Sequence, residues 1–266
     1  MAKGIIFYYS NTGNTRILCE YIQKKITTIP FELSSISEKG DKNIDAYDIV
    51  GFACFTDQMQ IPHLMRDFIQ SKSSSKTKYA FVLNTYGAIS GRTLLDLKNN
   101  AEKSRFTVID GISIHVPENY PPMIKRGYPY IKEPSEKMIT QFQNFISRLN
   151  KKIDCIGKGD VIIKSPLMIG VAQHFIPRLP MFLSKLELGK IECDKNKCTQ
   201  CKLCAKGCPG EAIVFEEYPI INHAKCQSCW KCYNRCPSQA IIATKFGNEY
   251  RYPQVHEVYR QKIAKL

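Results

Sequence analysis

Nine of the twelve cysteines in this 266-residue chain fall between Cys193 and Cys236, and eight of them form two copies of one spacing. The stretch KCTQCKLCAKGCPGEAI, residues 197–213, returns as KCQSCWKCYNRCPSQAI, residues 225–241. Cys198, Cys201, Cys204 and Cys208 precede Pro209, and Cys226, Cys229, Cys232 and Cys236 precede Pro237. Each copy reads C-x2-C-x2-C-x3-C-P. Three thiolates this closely spaced can wrap three corners of an iron–sulfur cube, while the proline turn carries the fourth cysteine onward. A zinc site would favour two separated pairs of ligands and has no need of the middle cysteine or the following proline. Cys19, Cys54, Cys155 and Cys193 fit no such ladder and read as small buried apolar residues.

A second constellation lies near the start, in YYSNTGNTR, residues 8–16. Ser10, Thr12 and Thr15 supply hydroxyls, Asn11 and Asn14 stand between them, and Gly13 allows close backbone approach. The loop opens onto a helical pattern, whose free N–H groups and dipole favour a phosphate. The lysine of a Walker A loop is missing, and so is the G-x-G-x-x-G dinucleotide fingerprint. Two later loops have matching places after apolar runs: CFTDQMQIP, residues 54–62, and NTYGAISGR, residues 84–92. A longer one, residues 116–134, carries five prolines and three tyrosines and reads as a lid.

These loops need a scaffold. Apolar runs at Lys3–Tyr9, Ile49–Phe55, Tyr79–Leu83 and Thr107–Val116 predict buried strands, with a weaker one at Phe31–Ile36. Helical patterns fall at Ile17–Ile22, Leu64–Gln70, Thr93–Lys103 and Ser135–Leu149. Alternation of this kind predicts a parallel sheet covered on both faces, with ligands at the carboxyl ends of its strands. Residues 151–189 predict a connector, and 247–266 a basic, tyrosine-containing tail with a helix near its end. The most apolar stretch, Pro166–Leu183, is interrupted by Gln173, His174, Pro177, Arg178 and Pro180, short of the roughly 20 apolar residues a membrane span needs. It is expected to pack on the first domain, a subunit partner or a membrane surface. The opening MAKGIIFYYSNTGNT lacks a cleavable signal pattern, so the expected location is cytoplasmic, where clustered thiols stay reduced.

The order [ST]-x-T-G-x-T directly after a first strand resembles flavodoxins, over about residues 2–151. The cysteine ladder resembles two-cluster bacterial ferredoxins, over about residues 191–244, and the whole resembles a flavodoxin-ferredoxin fusion. The resemblance implies an α/β doubly wound parallel sheet of order 2-1-3-4-5, followed by a small α+β two-cluster domain. The implied divisions are residues 1–152, a connector at 153–190, the two-cluster domain at 191–245 and a tail at 246–266. It also implies FMN held by Ser10, Asn11, Thr12, Gly13, Asn14 and Thr15. Around the isoalloxazine it implies Phe55, Thr56, Asp57, Gln58 and Met59, with Asn84, Thr85, Tyr86, Gly87 and Gly91 opposite and Asn119 and Tyr120 from the lid. Tyr86 is the candidate for stacking on the flavin. In ferredoxins of this kind the fourth cysteine serves the other cluster. One 4Fe-4S cluster would then use Cys198, Cys201, Cys204 and Cys236, and the other Cys226, Cys229, Cys232 and Cys208.

Net charge is +14. Two clusters of about −2 each and a flavin phosphate of about −2 would leave the loaded chain at roughly +8. Its basic residues are dispersed without a nucleic-acid motif, so no nucleic acid is expected. The expected function is electron transfer between the clusters and FMN, linking a ferredoxin-like or acidic redox protein to an acceptor. The alternatives are a flavin-dependent reductase of a small substrate, and a redox sensor or scaffold with structural clusters. A homodimer, with the clusters of one chain beside the flavin of the other, is a further expectation carried by the apolar connector. Trp230, between two ladder cysteines, is expected to shield a cluster from water.

Overall fold

The computed structural model describes residues 2–38, 42–72, 77–178, 180, 183, 185–186 and 189–266. Five parallel strands form its central sheet in the order β2-β1-β3-β4-β5. They are β1 (Gly4–Tyr9), β2 (Phe31–Ser35), β3 (Ile49–Phe55), β4 (Lys78–Tyr86) and β5 (Phe106–His115). Every residue of β1 is buried, as expected of a central parallel strand covered on both faces. Helices α1 (Asn14–Lys25) and α4 (Glu136–Lys158) cover one face, where Ile6, Leu18, Ile22, Phe145 and Leu149 share a core. The other face packs Phe7, Val50 and Phe52 against α2 (His63–Ser71) and α3 (Thr93–Lys103) through Met65, Ile69 and Leu97. The expected sheet order is the observed one.

Two elements outrun their sequence signal. Strand β4 extends to Tyr86, because Asn84 and Thr85 pair with Ser113 and Ile114 of β5 although neither is apolar. Helix α4 passes the expected division at 152 and ends at Lys158, where Gly159 takes a left-handed conformation at φ 76°. Ile153 is the reason: it is 1% exposed and extends the apolar stripe by another turn.

The connector is tied to the sheet at two buried aspartates. Asp110, 1% exposed, pairs with Arg148 at 3.1 Å and Lys152 at 2.8 Å. Lys152 Nζ also donates to Ser165 Oγ at 2.6 Å, and Ser165 N–H to the Ile109 carbonyl at 2.9 Å. Further along, Arg178 reaches Asp96 at 3.2 Å. Leu167 and Ile169 pack inward, whereas Met168, Val171 and Phe175 are about four-fifths exposed. Leu179, Met181 and Phe182 of the apolar stretch lie outside the described residues. Among the described residues, no helix is long and apolar enough to cross a membrane.

The C-terminal module is built from two antiparallel pairs: β6 (Ile191–Cys193) with β9 (Ile241–Ala243), and β7 (Ile213–Phe215) with β8 (Pro219–Ile221). Between them lie the short helices Leu203–Lys206 and Lys231–Arg235. The sequence repeat is also a backbone repeat. Left-handed residues occur in matched pairs: Gln200 and Ser228, Lys202 and Trp230, Glu211 and Gln239. Non-glycine residues adopt this conformation at a cost and keep it where the surroundings demand it. The tail does not stand apart. Its helix, Glu257–Ala264, packs Tyr259 and Ile263 into the core beside α1.

Candidate functional site

Strand β1 lies between β2 and β3, so the chain leaves its carboxyl end at the point where the sheet order reverses direction. Crevices form there in open parallel sheets. The loop that follows turns on Gly13, whose φ is 110° and whose added Cβ would lie 2.7 Å from Val255 Cγ2. A side chain at that position is therefore excluded by both backbone and space. Among the described residues, the N–H groups of Thr12, Gly13, Asn14 and Thr15 have no acceptor, and they open the N-terminus of α1. Neighbouring elements fix the loop's side chains. Thr15 and Thr85 share a hydrogen bond between hydroxyls at 2.8 Å, Asn119 Nδ2 donates to Thr12 Oγ1 at 2.8 Å, and Asn14 Nδ2 to the Pro117 carbonyl at 2.9 Å. A small cavity of about 30 Å³ is bordered by Ser10, Asn11, Thr12, Asn14, Thr15, Thr56, Thr85 and Tyr86.

The two flanking loops are tied to one another. Asp57 and Gln60 exchange backbone hydrogen bonds of 3.0 Å around a tight turn, with Gln58 and Met59 left-handed. Gly91, at φ 55°, permits the approach of Met59, whose carbonyl oxygen would lie 2.2 Å from any Cβ there. Asn84 donates to Thr56 Oγ1 at 3.1 Å and Ser90 Oγ at 3.3 Å. Gly91 and Asn84 thus shape the loops without lining either cavity. The Tyr86 ring lies parallel to the His115 imidazole of β5 at 5.0 Å, and Tyr86 borders the small cavity but not the larger cleft.

That cleft, of about 280 Å³, is lined by Asn11, Phe55, Thr56, Asp57, Gln58, Met59, Gly87, Asn119 and Tyr120. Ser228, Cys229 and Trp230 of the C-terminal module close one side. Burial pushes the Asp57 carboxyl up to about 7. Glu118, unremarked in the sequence, organises the rim. Its carboxylate accepts N–H groups from Ala88 at 2.9 Å, Asn119 at 2.9 Å and Tyr120 at 3.0 Å. Burial nevertheless raises its pKa, with those three bonds opposing.

The eight ladder cysteines divide into two sets. Cys198, Cys201, Cys204 and Cys236 border one small cavity, and Cys208, Cys226, Cys229 and Cys232 border another. Each set combines three cysteines of one copy with the fourth of the other. The fourth cysteines are held alike: Cys208 Sγ accepts the Ala212 N–H and Cys236 Sγ the Ala240 N–H, both at 3.2 Å. Burial opposes ionisation of Cys236, but hydrogen bonds from Ser238, Ile241 and Ala240 outweigh it and leave the thiol below its ordinary pKa. Burial pushes Cys229 up to about 11 and Cys232 well above the usual thiol value. Such thiols become ligands only where a cation compensates the thiolate charge. Among the described residues, no group of three or more His, Cys, Asp or Glu is arranged to hold a single metal ion.

The two regions meet. Asn234 donates to the Asn119 carbonyl at 3.2 Å and accepts the Tyr252 N–H at 2.9 Å. Tyr252 and Tyr259 donate their hydroxyls to Asn14 at 2.7 and 2.9 Å. Trp230, 6% exposed, packs edge-on to Tyr120 and Tyr233 and borders both the larger cleft and a cysteine cavity. Its Nε1 and the Asn11 Oδ1 are buried without a hydrogen-bond partner among the described residues. Leaving such groups unmade costs about 1–3 kcal/mol each, so this junction is polar beyond what packing requires.

Residues 5–103 match the family model described as a flavodoxin domain. The match covers less than half of the chain. Among solved structures the chain is similar to a flavodoxin from the domain Archaea, at 16% identity and a TM-score of 0.43, covering 57% of this chain and 98% of that one. It is similar to a Streptococcus pneumonia TIGR4 flavodoxin at 15% identity and a TM-score of 0.45, covering 57% and 99%. A Fusobacterium nucleatum flavodoxin bound to flavin mononucleotide gives 14%, 0.40, 57% and 98%. No curated protein matches the chain.

Proposed function

We propose that the chain is an electron-transfer iron–sulfur flavoprotein, with FMN at the loop after β1 and two 4Fe-4S clusters in the C-terminal module. The observation that carries this reading is the shared wall. Ser228, Cys229 and Trp230 border both the cleft at the sheet's carboxyl edge and the cavity of Cys208, Cys226, Cys229 and Cys232. When bound, flavin exchanges electrons in pairs or singly and clusters exchange them one at a time, which is the chemistry a relay requires.

The chain's own residues fit these groups. The free N–H groups of Thr12 to Thr15 and the loop hydroxyls would hold one phosphate, favouring FMN over FAD. Phe55 to Met59 and Asn119 to Tyr120 would enclose the ring system, and Trp230 excludes water from the side facing the cysteines. The crossed cysteine sets match the ligand exchange between clusters that the repeat implies. Asn11, Asn234 and Tyr252 hold the two sites together within one chain, so the relay needs no cysteines from a second copy. Its many free thiols suit a reducing, cytoplasmic setting.

Anaerobic purification followed by flavin extraction and iron and sulfide analysis tests the reading. The expected result is FMN with about eight iron and eight sulfide per chain. FAD, or a chain without iron after reconstitution, overturns it. A second reading, a flavin-dependent reductase of a small acceptor, draws on Ile89, which borders the cleft and is 57% exposed. Turnover of a small acceptor after anaerobic reduction, without a protein acceptor, favours that reading.

A further inference from the structure

If the relay reading holds, its two ends differ. The cavity bordered by Cys208, Cys226, Cys229 and Cys232 touches the cleft, whereas the one bordered by Cys198, Cys201, Cys204 and Cys236 shares no residue with it. The latter also contains Cys201, the one exposed cysteine among the described residues. Electrons entering from another protein would pass where a ligand reaches the surface.

The surface at that point is basic. Between Asp194 and Glu211 the chain carries Lys195, Lys197, Lys202 and Lys206 and no acid. Lys197 pairs loosely with Asp194 at 3.7 Å. The ammonium groups of Lys195 and Lys202 lie over the rings of Tyr218 and Phe215 at 5.4 Å, resting on the β7–β8 hairpin. Leu203, next to Cys201 and Lys202, is 55% exposed and supplies an apolar contact. Glu216 and Glu217, in the turn of that hairpin, share a cavity with Lys195 and bound the basic face on that side. An apolar spot beside an exposed ligand, rimmed by charge of one sign, suits a brief encounter steered by opposite charge.

The geometry points to the face around Cys201, with Lys195, Lys202 and Lys206 as its rim, as the docking surface for a soluble, acidic electron-carrying protein. One electron leaves the reduced partner, which is oxidised, and enters this chain, which is reduced; no bond forms or breaks.

The test follows electron transfer from a reduced ferredoxin of net negative charge to the complete, reconstituted chain by stopped flow, at several salt concentrations. The K195E/K202E/K206E variant is expected to lower the second-order rate about tenfold or more and to flatten its salt dependence. The single Lys202→Gln variant is expected to lower it about two- to threefold. Reduction by dithionite and iron content should stay unchanged in both. A K24E/K25E variant at the end of α1 should transfer at the parent rate. An unchanged ferredoxin rate in the triple variant at full iron content overturns the docking face alone, as does an equal loss in K24E/K25E. A parent chain that takes up no iron overturns the relay reading, and the docking face with it.

Discussion

Asn11, in the loop after the first strand, donates its side-chain N–H to the main-chain carbonyl of Cys229 at 2.9 Å, across 218 positions of sequence. The bond joins a candidate phosphate loop to a candidate cluster loop. Asn11 is 4% exposed and its bond to Cys229 part-buried, so removing its side chain leaves the Cys229 carbonyl without this partner. Asn11→Ala is expected to weaken the junction by about 1–3 kcal/mol. Amide hydrogen exchange should report it as faster exchange at residues 228–234, with the sheet strands unaffected. Unchanged exchange there would mean that the two regions are held by other contacts.

The crossed cysteine sets separate Cys208 from its own copy of the repeat. Cys208→Ala should damage the site of Cys226, Cys229 and Cys232, and Cys236→Ala that of Cys198, Cys201 and Cys204. Iron analysis should fall from about eight to about four per chain in either variant. Electron paramagnetic resonance of the reduced protein should lose a different signal in each. Loss of the same signal in both would defeat the crossed assignment.

At the candidate phosphate loop, the Thr15 hydroxyl is tied to Thr85 and the Thr12 hydroxyl to Asn119, and both residues border the small cavity. Thr12→Ala and Thr15→Ala are each expected to weaken FMN binding by about 1–3 kcal/mol. Fluorescence titration of the flavin-free chain gives the dissociation constants. Riboflavin, which lacks the phosphate, should bind the parent and the variants almost equally.

Acid should loosen the connector. Burial favours neutral Asp110, but hydrogen bonds and ion pairs with Arg148 and Lys152 prevail and set its pKa below the ordinary carboxylate value. The stability from this group is therefore complete above its unfolded pKa, near 3.9, and is lost as pH falls through the lower folded value. Asp110→Asn is expected to cost about 3 kcal/mol at pH 7, because it leaves Lys152 mostly buried without its counter-charge. Urea midpoints of parent and variant should converge as pH drops below about 4. A constant gap across that range would refute the assignment.

The sheet was legible because β1 and β3 are continuous apolar runs with polar loops behind them. The last residues of β4 were not, since Asn84 and Thr85 carry no apolar signal and their strand character comes from pairing with β5. Within the site, the Ser10–Thr15 loop and the ladder spacing announce themselves by residue type. Glu118 and Asn234 do not: one is an acid in a proline-rich loop and the other a lone amide between cysteines, and the links they make to Ala88 and to Asn119 and Tyr252 join segments distant in sequence. The stacking of Tyr86 is equally hidden in the sequence, because its partner His115 lies on the neighbouring strand.

The two hydroxyls from Tyr252 and Tyr259 that end on Asn14 set an order in time as well as space. A ribosome releases Asn14 early and these tyrosines 238 and 245 positions later, a delay of roughly 10 to 50 s at ordinary elongation rates. Throughout that delay the loop after β1 lacks these two contacts, and the cysteine repeats emerge only near its end. On the proposed reading, the FMN loop is therefore braced only after residue 259 has been made, and a nascent chain stalled before residue 252 would carry both ladders and a loop without these contacts.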